Sequence, residues 1–144
     1  MDHSILGIRI LIAFSGAWFS ILFIQSGFDK VFDWKGNLGW ISKQFSKSFL
    51  GPMTPMLLLG ITVLECAAGL ISLGGLGYFL FTWDVKILFW GIVLSNLDFV
   101  MLFFGQRFSK EYVGAASLQG YFAVGILSLL GCIIYLTMHA VPLH

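Results

Sequence analysis

Four runs of about 20 mostly apolar residues, at 5–26, 55–73, 83–104 and 118–138, constrain this chain more than any other feature. Each residue advances a helix by about 1.5 Å, so a run of that length matches the hydrocarbon core of a bilayer. Burial in a water-soluble core is not an alternative. Of the 144 residues, 58% are hydrophobic and 10% charged, against roughly 25% charged in a typical soluble domain. A chain this short also keeps much of its surface exposed. The expected fold class is therefore all-α: one integral membrane domain over 1–144, built as a four-helix bundle. A net charge of +1 gives no reason to expect a nucleic acid partner. Only "MDHS" precedes the first run, without a basic segment, so a cleaved signal peptide is not expected.

Each run carries small or polar residues three, four or seven positions apart, which keeps them on one helical face. The first has Arg9, Ala13, Gly16, Ser20 and Gly27; the second Thr62, Glu65, Gly69 and Ser72. The third has Gly91, Ser95, Asp98 and Gly105; the fourth Gly125, Ser128, Cys132, Tyr135 and His139. Membrane helices approach one another through such faces, since lipid already solvates Leu and Phe. These four faces are expected inward.

The stretch "SGFDKVFDWKG" at 26–36 puts four charges directly after the first run. It reads as a corner where the chain leaves the bilayer. Beyond it, Leu38, Ile41, Phe45 and Phe49 recur at helical spacing opposite Ser42, Lys43, Ser46 and Lys47. The pattern predicts an additional interfacial amphipathic helix at 37–50, capped by Asn37 and stopped by Gly51-Pro52. An ordinary loop helix packed on the bundle is the plainer alternative. A link is expected at 74–82 and another at 105–117. Six basic residues on the side of the first and third loops against two on the terminal side predict cytoplasmic loops and outside termini.

Three ionisable residues fall inside the runs: Arg9, Glu65 and Asp98. Each is costly in lipid and needs a partner, a proton or a wet cavity. Taken by depth, Arg9 is the cation expected to pair with Glu65, while Asp98 lies nearer Gln25 and Lys30. One reading is a set of polar clasps fixing helix register. The other is a proton-handling or quinone-headgroup site in which Glu65 or Asp98 titrates. Asp29, Lys30, Asp33, Gln106, Arg107, Lys110 and Glu111 gather on the loop side, as a solvated rim or a docking face. Cys66 and Cys132 fall at similar depth but read as packing residues. His3, His139 and His144 offer no paired spacing on one helix, and no metal site is expected.

Taken together, Arg9, "SGFDKVFDWKGN", "LECAAGL" around Glu65 and "FGQRFSKEYVGAA" resemble the DoxX family of small bacterial membrane proteins, especially its Bacteroidetes-type members. The match covers most of the chain, in order. The 74–82 link with Asp84 and Lys86 departs from the Gly-Leu-x-Thr-Arg turn common there. The resemblance implies a four-helix membrane bundle, a place in the bacterial inner membrane and association with redox complexes. Some members resemble subunits of thiosulfate:quinone oxidoreductase, others assemble with a sulfurtransferase and a superoxide dismutase, and the MauE proteins share the fold. Three functions follow as expectations. The first is a subunit that anchors, assembles or stabilises a larger redox-linked membrane complex, without an intrinsic cofactor. The second is a quinone-interacting oxidoreductase subunit, and the third a proton or small-solute pathway.

Overall fold

The computed structural model describes residues 3–140, and every regular element among them is helical. Four helices are long and apolar enough to cross a membrane: α1 (His3–Phe32), α3 (Thr54–Thr82), α4 (Lys86–Phe108) and α5 (Tyr112–Ala140). A shorter helix, α2 (Trp34–Phe45), lies in the first loop and leads through a 3₁₀ turn, Gly51–Met53, into α3. The protein is a multi-pass membrane protein with an all-α bundle fold. The 30 residues of α1 make a rod of about 45 Å, longer than the ~30 Å hydrocarbon layer, so its ends reach the headgroups.

The helices form a ring. α1 packs on α3, α3 on α4 and α4 on α5, and a looser seam closes α5 onto α1. Ile12, Phe19, Phe23, Phe79, Leu88 and Ile92 fill the interior, while Phe14, Ile21, Val63, Trp90 and Leu127 face outward. Gly16, Gly69, Gly91 and Gly125 are all buried, as the small-residue faces predicted. A Cβ on Gly69 would stand 2.6 Å from the Ile24 backbone nitrogen, and one on Gly91 2.6 Å from Ser72 Oγ. Backbones this close admit no side chain, which is how helices gain dispersion contact where lipid removes the hydrophobic drive.

The helices overrun the expected links. The stretch 74–82 is the last part of α3, because Gly75 seats the α4 backbone: a Cβ there would meet Leu88 N at 2.5 Å. Packing on one face overrides the local glycine penalty. α3 stops one residue later, at Trp83, whose left-handed φ of 59° turns the chain. Tyr135 of α5 donates its hydroxyl to the Trp83 carbonyl at 2.8 Å, and Asp84 Oδ1 accepts from Lys86 N at 3.0 Å as α4 begins. The expected link at 105–117 shrinks likewise to a turn at 109–111, with Lys110 at φ 62°.

The first loop also differs from its expected course. α1 stays helical through the charged stretch to Phe32, and the corner is Asp33 alone. Asp33 caps α2 by accepting from Gly36 N at 3.1 Å, so α2 starts at Trp34, ahead of the expected Asn37 cap. Asn37 instead donates back to the Asp33 carbonyl at 2.9 Å. α2 ends at Phe45 because Ser46 and Ser48 hydroxyls bond the carbonyls of Lys43 and Phe45, at 2.8 and 3.0 Å, in place of further helix. Phe45 is buried, and Ser42 meets Thr54 of α3 at 3.0 Å, so α2 is tied to the bundle.

Candidate functional site

α1 continues one turn past Ser26 and so carries Lys30 above the same face. Its ammonium reaches back along the helix to Ser26 Oγ at 3.1 Å and across to α3. There Glu65 Oε2 lies 2.8 Å away, and Oε1 accepts from Lys30 at 2.9 Å and from Ser26 Oγ at 2.8 Å. The Glu65 side chain is 2% exposed and that of Lys30 18%, so the ammonium occupies the boundary between core and loop-side surroundings. A buried carboxylate with a two-point ammonium contact and a hydroxyl donor is well satisfied.

Asp98 completes the cluster from α4. Gly91 meets Ser72 across the α3–α4 seam. Two helical turns further, seven residues along each antiparallel helix, the same register sets Asp98 opposite Glu65. Asp98 lies within electrostatic reach of both Glu65 and Lys30. It is 0% exposed, and neither carboxyl oxygen has a hydrogen-bond partner among the described residues. Phe23 and Phe99, next in sequence to Asp98, meet at a tilt with ring centroids 5.2 Å apart, and Phe99 also meets Tyr121 of α5 at 6.0 Å. One ammonium, bonded to Glu65, is thus the cation within electrostatic reach of two buried carboxyl groups.

Arg9 is not the partner of Glu65. Its guanidinium lies over the Trp83 ring, 4.2 Å from the centroid, and Nε approaches Tyr135 Oη at 3.4 Å. Phe79 packs edge-on against both Trp83 and Tyr135, and Tyr135 meets the His139 ring at a tilt, 4.1 Å between centroids. The physical reason for the changed pairing is helix length. With α3 running on to Thr82, Glu65 stands about 17 residues, roughly 25 Å, from the terminal end of its helix. Arg9 is only about 9 Å into α1. The gap exceeds the reach of a guanidinium.

Of the loop-side rim residues, Lys30 turns inward as described, and Asp33 is an exposed helix cap. Asp29, Arg107, Lys110 and Glu111 are exposed; Arg107 lies over the Tyr112 ring at 4.8 Å. Gln106 is half-buried against Gly114, with its Oε1 unpartnered among the described residues. Cys66 and Cys132 are free thiols: Cys66 fills the space over Gly27, and Cys132 is buried in the core. His3 is exposed on α1, His139 is exposed near the end of α5 and not inward as expected, because the bundle core ends at Tyr135, and His144 lies outside the described residues. Sequence reasoning missed the role of Lys30 and Ser26. Their four-residue spacing at a helix end, below a snorkelling lysine, was the available signal.

No family model, curated protein or solved structure matches the chain.

Proposed function

We propose that the protein is a small membrane subunit that anchors, assembles or stabilises a larger membrane complex. The observation that carries this reading is the outer surface of α5. Its first half leaves Ser117, Gln119 and Gly120 exposed on a membrane-crossing helix. A groove of about 260 Å³ against α4 and another of about 310 Å³ against α1 flank it. α1, α3 and α4 use their small residues on one another; this part of α5 presents the Gln119 amide and Gly120 to whatever lies outside, beside a Ser117 hydroxyl that donates to the Gly114 carbonyl at 2.7 Å. Another protein's transmembrane helix satisfies such groups better than acyl chains do. The redox character of the complex, and its place in the bacterial inner membrane with loops in the cytoplasm, rest on the DoxX resemblance and the basic loop residues. Extraction in mild detergent, followed by identification of copurifying proteins, tests the reading. Copurification that Gly120→Leu abolishes, with the bundle still folded, is the expected result. A chain that purifies alone from native membranes, with no change on Gly120→Leu, would overturn it.

A quinone-interacting subunit of a thiosulfate:quinone oxidoreductase-like enzyme is the second reading. The α1–α5 groove favours it, since Trp18 and Tyr121 stack there at 5.8 Å and offer a flat aromatic wall beside Ser117. Quinone retained by the purified complex and lost in Tyr121→Leu would move this reading ahead.

A further inference from the structure

We propose that Lys30, Glu65 and Asp98 form a proton-exchange site that opens to the loop side only, independently of any assembly role. One ammonium faces two carboxyl groups in the bundle interior, and a net negative charge there is costly, whereas one added proton makes the site neutral. Glu65 holds the ammonium and the Ser26 hydroxyl, at 2.8 Å each. Asp98, fully buried with both oxygens unpartnered among the described residues, is the acceptor that remains. Among the described residues, the charged groups that act on it are Lys30 and Glu65. α1 contributes Lys30 and α3 Glu65; α5, on the other side of α4, contributes Tyr121 through its contact with Phe99.

Access is one-sided by construction. Lys30 is the member of the cluster with solvent exposure, and it stands three residues before the Asp33 corner on the loop side. Toward the terminal side, Ser95 and Ser72 continue a buried polar line along the α3–α4 seam. The line then ends on Leu88, Phe79 and Ile12, none more than 1% exposed, with the Gly75 backbone closed onto Leu88. In the exchange step the Asp98 carboxyl O–H bond breaks, its proton passes to water at the loop side, and the ammonium then faces two carboxylates. Uptake is the reverse. No electron moves, and water is the co-reactant. The site therefore binds and returns a proton at one face and does not conduct it across.

Infrared difference spectra of the whole protein in lipid nanodiscs, recorded between acid and alkaline buffer, test the site. One protonated-carboxyl band is expected to disappear on alkalinisation, to shift in protein made with isotopically labelled aspartate, and to be missing from Asp98→Asn. The labelled wild type makes the assignment even where the variant fails to fold. Absence of any titrating buried-carboxyl band, or a band that ignores the aspartate label, overturns the proposal. For sidedness, the protein is reconstituted in vesicles loaded with a pH-sensitive dye. An internal pH as slow to follow an external jump as in protein-free vesicles is expected; a faster response, lost in Asp98→Asn, would make the site a conducting path and refute the one-sided form.

Discussion

α1 sends two basic residues into the bundle, one toward each end, and they meet opposite chemistry. At the terminal end Arg9 lies against the faces of Trp83 and Tyr135. At the loop end Lys30 meets the carboxylate of Glu65, with Asp98 behind it. An aromatic face attracts a cation through its quadrupole and carries no charge of its own. A carboxylate is stronger as a partner but leaves an isolated charge whenever either member is lost. The guanidinium, planar and weakly hydrated, suits rings; the compact ammonium suits a charge pair. The described contacts of the terminal end are thus aromatic, and those of the loop end are ionic.

The comparison breaks most readily at the loop end. Lys30→Met should destabilise the protein by about 3 kcal/mol, the low end for a broken buried pair because the lysine is partly exposed. Combining it with Glu65→Gln should recover most of that loss, while Arg9→Gln with Glu65→Gln should recover none. Thermal unfolding in detergent of the singles and doubles settles the pairing. A neutral Lys30→Met would reduce the loop-end site to a surface contact.

Next in size is a test of whether both ends depend on the same close helix approaches. Gly69→Val on the α1 side and Gly75→Val on the α4 side should each cost about 1–3 kcal/mol by overpacking. Gly60→Ala, where an added Cβ meets nothing within 4 Å, should instead gain up to about 1 kcal/mol. Equal effects at all three positions, again by thermal unfolding, would mean the seams are not set by glycine.

At the terminal end, Trp83→Leu should cost about 1–2 kcal/mol through the lost cation–π contact, and Trp83→Phe distinctly less. The smallest effect belongs to α2. Ser42→Ala removes its 3.0 Å contact with Thr54 and should cost about 0.5–1.5 kcal/mol. Faster hydrogen exchange confined to α2 is the readout; unchanged exchange there would show that Phe45 alone holds the helix.

Part of the candidate site was legible and part was not. Glu65 and Asp98 stand out because a carboxyl amid apolar residues is costly wherever the helix places it. Which cation serves Glu65 was not legible, because the answer turns on where helices stop. Reading 74–82 as a link shortens α3 and brings Glu65 within apparent reach of Arg9; the Gly75–Leu88 contact that keeps this stretch helical joins residues from different helices. Lys30 looked like part of a hydrated rim for a similar reason. Its charge favours water, but α1 persists to Phe32 and aims it back at Ser26 and Glu65.

The sequence by itself determined that there are four membrane helices and which face of each turns inward, since these follow from length, hydropathy and residue spacing along one chain. Gly16, Gly69, Gly91 and Gly125 could be placed before any helix was paired. Only the tertiary structure decided the order of packing, the antiparallel register that sets Asp98 opposite Glu65, and the separation of Arg9 from both. Spacing along a helix fixes the direction of a side chain but not its height against a neighbour. That height is set by backbone contacts at Gly69, Gly75 and Gly91, where one helix settles into the gap left by the other's missing side chain.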